Sequence, residues 1–340
     1  MNKININRRK FNAALGSAVA FGGLAPGLVI AQPKTKIRIG YLHVLSVDGH
    51  MWIAKHLGAF EKEGLEVELR EFNSGVEIFQ AMIGGSLDVL TTGGVLSNFP
   101  ARNQGKVFLL NNIEQSVGQV WVNGGAGINT IADLKGKKVV TTRGTTAHLC
   151  LHEGLKTVGL DSAKDVEIIN QRMGDAVTSF IAGAAPAVAT WVPFNTAIKA
   201  KMPTAKKLFD AGKMPQAWIV DGWAARNDFH DKNKDALRRV ISAWTIANDY
   251  IMAKPQEALD ILHKSYYANL KRDDVDEMYN AAKFYSTQEW AKLYADGTAA
   301  KWLNQVTQFN VNIGAIEKAI YADKYFDTSL YADVMKKRKA

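Results

Sequence analysis

Cysteine is nearly missing from this chain of 340 residues, which contains a single one, Cys150. One cysteine excludes a disulfide framework and any zinc site built from several cysteines. Proline is scarce too, with 8 residues, and the 28 glycines show no collagen-like or low-complexity bias. Apolar residues are abundant, at 47% of the chain, which is enough for a hydrophobic core and excludes disorder. At about 100–200 residues per domain, the length favours two domains.

Acidic residues are fewer than basic ones: the chain has 42 lysines and arginines and 33 aspartates and glutamates, which gives a formal net charge of +9. Much of the excess lies at the two ends of the chain, at 8–10 and 336–339. Positive charge attracts nucleic acid only where it clusters on the folded surface, and no nucleic-acid-binding motif accompanies it here. We therefore expect no nucleic-acid partner.

Residues 1–31 have the pattern of an export signal. Arg8 and Arg9 precede Phe11 and a short apolar stretch rich in small residues, which ends at Ala31. This order is typical of a secretory signal cleaved after Ala31, and the paired arginines resemble a twin-arginine signal, with the ordinary secretory route left open. A buried N-terminal helix is the alternative. No cysteine follows the stretch, so the predicted location is the periplasm, without a lipid anchor.

Strand-like and helix-like segments alternate along the rest of the chain. Apolar and polar residues alternate at 37–41 and 65–72, as in strands, and the intervening segment 51–62 has helical spacing. Further strands are predicted at 87–90, 107–110, 166–169, 188–191 and 206–209. Strands interleaved with helices indicate an α/β fold with parallel sheets. From residue 232 onward the pattern is helical, with no ligand chemistry.

Ligands of such sheets bind outside the carboxyl ends of the strands, which here points to four loops. These loops are 42–50, 91–94, 143–147 and 190–193. In two of them threonines and glycines precede a predicted helix, and free N–H groups with hydroxyls at a helix start can bind an anion. Thr145 or Thr146 acting only as a helix cap explains the third loop equally well. Neither loop is a P-loop, because no Gly-x-x-x-x-Gly-Lys-Ser/Thr occurs.

The histidines His148 and His152 flank Cys150 in a predicted helix and raise the question of a metal site. The metalloprotease pattern needs a glutamate directly after the first histidine, whereas Glu153 follows the second. Cys150 lies among leucines and is predicted to be a buried, inert thiol. No order of serine, cysteine, histidine and aspartate suggests a catalytic set. We expect no metal, no cofactor and no catalytic residue.

Six short segments follow one another in a characteristic order. They are IGY at 39–41, AKHLGAFEKEGLEV at 54–67, AMIGGSLDV at 81–89, IADLKGKKV at 131–139, GTT at 144–146 and WVP at 191–193. Together they resemble the nitrate/sulfonate/taurine branch of the substrate-binding proteins of ABC-type importers. The resemblance covers the chain from about residue 36 to about residue 252, and the combined order is more specific than any single segment.

The resemblance implies the type II periplasmic-binding-protein fold. In that fold two α/β lobes are joined by two crossings and close like a hinge on a ligand in the cleft between them. The expected first lobe comprises residues 32–122 plus 218–340, including the C-terminal helices. The expected second lobe comprises residues 123–217.

The resemblance also implies which residues contact the ligand. Carried onto this chain, the candidates are Ser46, Asp48, His50, Thr91, Thr92, Gly93, Thr145, Thr146, Ala147 and Trp191. Many relatives have an acid before the proline, where this chain has Val192. Asp48 places a carboxylate in the first loop, which would repel an anion unless His50 or a backbone cap neutralises it.

The function predicted from this resemblance is that of a monomeric, non-catalytic solute-binding protein. It would capture a small anion, either a sulfonate, nitrate or a carboxylate, including aromatic ones, and deliver it to a membrane permease. Two alternatives stay open: an enzyme of the same fold, or a binding protein that serves a sensor. The pyrimidine-precursor synthases carry a cysteine-rich motif that is missing here. The desulfinases use a cysteine in the loop after the first strand, where this chain has Leu45, Ser46 and Val47.

Overall fold

The computed structural model of the protein describes residues 34–214 and 219–339. The predicted export signal lies outside the described residues, and so does the predicted lobe boundary between residues 217 and 218. From Lys34 onward the chain forms one compact unit. No helix within the described ranges has the length and apolar content needed to cross a membrane.

The strands of the described residues form two separate sheets. In chain order the strands are β1 (Thr35–Leu42), β2 (Leu65–Phe72), β3 (Val89–Thr92), β4 (Lys106–Glu114), β5 (Gly118–Val122), β6 (Lys138–Thr141), β7 (Glu167–Asn170), β8 (Ala187–Trp191), β9 (Lys206–Asp210), β10 (Ile219–Ala225) and β11 (Ala282–Lys283). The first sheet has the order β11-β4-β10-β3-β1-β2, and the second has the order β7-β6-β8-β5-β9. The expected α/β fold is therefore confirmed.

Both sheets are mixed, which corrects the expectation of parallel sheets. Strands β1, β2 and β3 pair in parallel, as do β6, β7 and β8. Strand β10 runs antiparallel to β3 and β4, and β5 runs antiparallel to β8 and β9. The antiparallel strands are those by which the chain passes between the sheets, since β4 leads to β5 and β9 leads back to β10. The sequence interpretation had no strand at β10.

Strand β5 belongs to the second sheet, where it pairs with β8 and β9. The sequence interpretation had assigned residues up to 122 to the first lobe. In the structure the first crossing therefore lies before Gly118. The return crossing lies between β9, in the second sheet, and β10, in the first.

Helices cover both sheets. They are α1 (Leu45–His56), α2 (Ala59–Lys62), α3 (Gly75–Ile83), α4 (Thr146–Lys156), α5 (Met173–Ile181), α6 (Asn195–Lys201), α7 (Asn227–Lys232), α8 (Lys234–Ala253), α9 (Pro255–Ser265), α10 (Arg272–Asn280), α11 (Thr287–Ala295), α12 (Thr298–Asn312), α13 (Ala322–Tyr325) and α14 (Ser329–Lys339). Gly64 separates α2 from β2, and its φ of +67° is one that glycine adopts without strain.

Helix α8 shows how the sequence pattern builds the core. Leu237, Val240, Ile241 and Trp244 recur at helical spacing, and all four side chains are buried. Burying such a stripe stabilises the helix mainly through its packing rather than its intrinsic propensity. This stripe packs α8 within the core of the first sheet and its C-terminal helices.

Candidate functional site

A pocket lies between the two sheets. Its wall is formed where β1, β3, β4 and β8 end and where α4 begins. The residues that line it are Leu42, Val44, Ser46, Val47, Gly75, Thr92, Gly93, Gly94, Val95, Glu114, Val117, Thr145, Thr146 and Trp191. The wall thus combines valines and a tryptophan with hydroxyls, glycines and one carboxylate. Its position follows the rule that ligands bind beyond the strand ends of α/β sheets.

Six of the candidate ligand-binding residues lie on this wall. They are Ser46, Thr92, Gly93, Thr145, Thr146 and Trp191. The first three come from the first sheet and its loops, and the last three come from the second. Trp191 also packs edge-on against Phe194, with ring centroids 5.6 Å apart, so its indole is held in place at the pocket.

Asp48 and His50 do not reach the pocket, because the expected loop at 42–50 is largely helical. Helix α1 begins at Leu45, and its first turns bury both side chains. Asp48 accepts hydrogen bonds from Tyr267 Oη and from Trp52 Nε1, the latter at 2.8 Å. His50 Nε2 lies 3.0 Å from Asn248 Oδ1, and burial lowers the pKa of His50 to about 4. Both residues therefore hold helices together instead of lining the pocket.

Thr91 and Ala147 also lie behind the pocket wall. The Thr91 hydroxyl donates to the carbonyl oxygen of Val47 at 2.9 Å. The side chain of Ala147 is fully buried in the first turn of α4. These two residues support the pocket from behind, and their side chains are not on its surface.

The loops 91–94 and 143–147, which contain the threonines and glycines, meet across the pocket. They do not meet as two capped helices that face each other. The Gly94 N–H donates to Thr146 Oγ1 at 3.1 Å, and Thr146 Oγ1 donates to Glu114 Oε1 at 2.8 Å. Thr145 is the N-cap residue of α4, yet its hydroxyl donates to the carbonyl oxygen of Thr142 and caps no N–H. After Gly94 the chain forms turns and a short 3₁₀ segment instead of the expected helix.

A pair of buried acids that the sequence interpretation missed lies beside this contact. Asn112 and Glu114 share one face of β4, because side chains alternate along a strand. On the neighbouring strand β10, Asp221 is opposite Asn112. Oxygens of both acids border Gly93: a Cβ at Gly93 would be 2.7 Å from Asp221 Oδ1 and 2.8 Å from Glu114 Oε1.

The two carboxyl groups perturb each other. Burial, followed by the charge of Asp221 and a hydrogen bond with it, raises the pKa of Glu114 well above its usual range. Burial raises the pKa of Asp221 to about 6, against the opposing effects of Glu114, Ser46 and Asn112. Two like charges that are buried side by side cost much free energy to ionise together, so the pair keeps a proton above the usual carboxyl pKa range. The sequence signal for this pair was a single acid within each of two mostly apolar strands.

The helix α4 is the other chemical feature at the pocket. Its first turn contains N–H groups that have no acceptor within the helix, which makes a helix start favourable for negative charge. Among the described residues that line the pocket there is no lysine or arginine. Any negative group of a ligand here would therefore be met by backbone N–H groups and hydroxyls.

The candidate metal ligands and the single cysteine are not among the residues that line the pocket. His148 Nδ1 accepts from the Gly144 N–H, and His152 Nδ1 lies 2.8 Å from Ser162 Oγ. Within the described ranges no group of three or more histidine, cysteine, aspartate or glutamate side chains is arranged to hold a metal. Cys150 is buried, as predicted, and burial raises the pKa of its thiol.

Two sheets with a cleft between them define a two-lobed α/β architecture. The sequence profile of the NMT1/THI5-like family matches residues 49–258. The chain belongs to this family.

Individual relatives are similar over most or much of the chain. A protein of Brucella abortus described only as a binding protein is 26% identical over 325 residues, which is 94% of this chain and 98% of the relative. The taurine-binding periplasmic protein of Escherichia coli is 26% identical over 208 residues, which is 60% of this chain and 63% of the relative. The expected resemblance to taurine- and sulfonate-type binding proteins is confirmed.

Solved structures of similar fold include both binding proteins and an enzyme. The periplasmic aliphatic sulphonate binding protein SsuA from Escherichia coli superposes with a TM-score of 0.68 at 21% identity, covering 85% of this chain and 91% of that one. The desulfurization enzyme DSZB superposes with a TM-score of 0.65 at 12% identity, covering 90% of this chain and all of that one, 100%. Fold alone therefore does not separate binding from catalysis.

Proposed function

We propose that this protein is the periplasmic solute-binding component of an ABC importer. It captures a small organic anion in the pocket between its two sheets and delivers it to a membrane permease. Membership of the NMT1/THI5-like family and the similarity to a taurine-binding protein support this proposal. We also propose that it works as a monomer that closes on its ligand.

The observation that carries the proposal is the composition of the pocket. Ser46 and Thr92 bring hydroxyls without hydrogen-bond partners among the described residues to the pocket, and the first turn of α4 borders the same space from the second sheet. Hydrogen-bond donors of this kind bind anions without a cationic side chain. Together these groups favour a sulfonate or carboxylate group at the start of α4.

The apolar part of the wall favours an organic ligand over an inorganic one. Trp191, Val44, Val95 and Val117 face the same pocket. A ligand with a short hydrocarbon part would bury apolar surface there, at roughly 25 cal/mol per Å². Nitrate is therefore the least favoured of the expected anions.

The state of the thiol argues against the alternative of a desulfinase-type enzyme. The Cys150 thiol is buried within α4, and burial raises its pKa, whereas a nucleophilic cysteine needs a thiolate. Ser46 stands in the first turn of α1, in the segment after β1 where the desulfinases use a cysteine. Its hydroxyl has no neighbouring histidine to act as a base among its hydrogen-bond contacts in the described part of the chain. Binding without catalysis is the function that this site supports.

Calorimetric titration of the purified protein with taurine, alkanesulfonates, aromatic carboxylates and nitrate tests this function. We expect at least one organic anion to bind, and Thr92→Val, which removes a pocket hydroxyl that has no hydrogen-bond partner among the described residues, to weaken that binding by about tenfold, the effect of losing one good hydrogen bond. The matched control is Thr178→Val, because Thr178 is exposed on α5. If every anion leaves the heat signal unchanged while a neutral solute binds, the anion class is wrong.

A further inference from the structure

A second groove crosses the boundary between the two sheets, and we call it the arginine groove. One side comes from α3 and the segment after β3, with Gln80, Asn98 and Arg102. The opposite side comes from the start of α4 and the loop before it, with Arg143 and His148, and residues 313–315 after α12 form a third side. The described residues that line this groove and those that line the pocket do not overlap. The binding of a solute in the pocket therefore does not explain the groove.

The charge of the arginine groove is positive and not balanced by an acid. Among the described residues that line it there are two arginines and no aspartate or glutamate. Arg102 Nη2 donates to Asn98 Oδ1 at 2.7 Å, and Arg143 Nη2 donates to the Ile168 carbonyl oxygen at 3.4 Å. The Arg102 guanidinium also lies over the Phe99 ring, 4.4 Å from its centroid. Arg102 is thus held in place, and both arginines keep several N–H donors for a further partner.

A buried histidine adds a donor that has no acceptor. His148 lines the arginine groove, although it is only 2% exposed. Burial, followed by the charges of Arg143 and His152, lowers the pKa of His148 to about 4, so the ring is neutral at neutral pH. Its Nδ1 accepts from the Gly144 N–H at 3.1 Å, and the ring proton is therefore on Nε2. Within residues 34–214 and 219–339 that Nε2–H donates to no acceptor, which indicates a missing hydrogen-bond acceptor in the groove.

We infer that the arginine groove binds a compact oxyanion with two negative charges, of the sulfate or phosphate type, between Arg102 and Arg143 and with His148 Nε2 as a further donor. Guanidinium groups present their N–H donors in a planar fork that matches such oxygens. A cation would be repelled by both arginines. Because the groove and the pocket are separate, this inference goes beyond the proposed function and does not depend on it.

The first test uses sulfate, which stays a dianion throughout the neutral pH range, and follows the histidine ring signals by NMR. The signal of His148 is assigned by its loss in His148→Asn. We expect a saturable shift of this signal with sodium sulfate and none with sodium chloride at equal ionic strength. Arg143→Gln is expected to weaken sulfate binding by about fivefold or more, because it removes a charged donor. The matched control is Arg70→Gln, at an exposed site on β2 far from the groove, and it should bind sulfate like the wild type.

The second test is calorimetric titration of the purified protein with sulfate. His148→Asn keeps an acceptor near the Gly144 N–H but removes the Nε2 donor, and we expect it to weaken sulfate binding by about fivefold or more. Thermal unfolding of the unliganded variants shows whether they fold. Thr92→Val changes the pocket and not the arginine groove, so its affinity for sulfate should stay within about twofold of the wild type.

Four outcomes overturn the inference. It is wrong if sulfate causes no saturable shift, or if chloride causes the same shift. It is wrong if Arg70→Gln weakens sulfate binding as much as Arg143→Gln, because the effect is then one of net charge. Binding that is lost in Thr92→Val and kept in Arg143→Gln would place sulfate in the pocket instead. None of these outcomes bears on the proposed function, which is tested by the organic anions and the pocket variant.

Discussion

Among single residues, Asn111 makes an unusually connected set of buried hydrogen bonds. Its Oδ1 accepts from Trp223 Nε1 and from Trp244 Nε1, both at 2.8 Å, and its Nδ2 donates to the Val47 carbonyl oxygen at 2.9 Å. One amide on β4 thereby joins β10, α8 and α1. On the opposite face of β4, Glu114 faces the pocket, so this amide fixes the strand that presents the acid pair.

We predict that Asn111→Ala lowers the free energy of unfolding by at least about 3 kcal/mol, because it leaves two indole N–H groups and a carbonyl buried without partners. Urea unfolding followed by tryptophan fluorescence measures the change. Asn129→Ala is the control at an exposed position, and its effect should stay within about 0.5 kcal/mol. Equal effects of the two substitutions would contradict this assignment.

Between elements, His43 joins the end of β1 to the turn after α9. Its ring stacks on Tyr267 with centroids 4.1 Å apart. Its two nitrogens lie 2.8 Å from Asp48 Oδ2 and 3.1 Å from the Tyr266 carbonyl oxygen. Both partners are oxygens that accept, so the doubly protonated ring satisfies both. Burial lowers the pKa of His43, but the hydrogen bond and charge of Asp48 outweigh it and leave the pKa raised.

A raised histidine pKa makes this link depend on pH. Its stabilisation is complete below the ordinary histidine pKa of about 6.5 and is lost as the pH rises through the raised value in the folded protein. The compared quantity is the free energy of unfolding of the wild type minus that of His43→Gln. We expect this difference to be larger at pH 5.5 than at pH 9 by on the order of 1–2 kcal/mol. Denaturant unfolding at both pH values, with the exposed His56→Gln as control, measures this. A difference that does not change with pH would refute the charged link.

For the whole molecule, the decisive contacts are those that hold the two sheets together. Besides the Gly94–Thr146 hydrogen bond, Arg172 at the start of α5 pairs with Glu77 on α3 at 3.0 Å. Lys199 and Asn195 of α6 both donate to Glu277 of α10, at 2.5 and 2.9 Å. The two ion pairs are partly exposed and individually weak, so we expect closure to depend on the close approach at Gly94 more than on charge.

Gly94→Ala is predicted to prevent this close approach. The new Cβ would lie 2.6 Å from Thr146 Oγ1 and 2.9 Å from the Thr146 backbone nitrogen, and backbone atoms cannot move aside without separating the sheets. We expect at least a tenfold loss of affinity for the solute identified by titration and no ligand-induced fall in the radius of gyration measured by X-ray scattering. Gly174→Ala, whose Cβ would meet only Phe194 Cε1 at 3.9 Å, should behave like the wild type. Normal compaction of Gly94→Ala would rule out this contact as the closing step.

The local pattern of the sequence was sufficient for the α/β class, for the stripe of α8 and for the loops at the strand ends, whereas the ten candidate residues came from the family resemblance, and six of them lie on the pocket wall. Those features depend on periodicity and on residue types at strand ends, which are local properties. Asp48 and His50 were misplaced because the start of α1 at Leu45 is not marked by a side-chain cap. Without such a cap, a helix start and a loop have similar sequences.

Only the tertiary structure decided which side chains meet in the pocket. Glu114 and Asp221 are far apart in the chain and become neighbours because β4 and β10 pair antiparallel next to the two crossings. The placement of β5 in the second sheet also depends on long-range contacts, because the pairing partners of a strand are set by the tertiary structure. The burial of Cys150, by contrast, was predicted from the sequence alone, because this residue lies between leucines in a predicted helix. The sequence therefore determined the kind of fold and the loops at its cleft, and long-range pairing determined the charge that the cleft presents to a ligand.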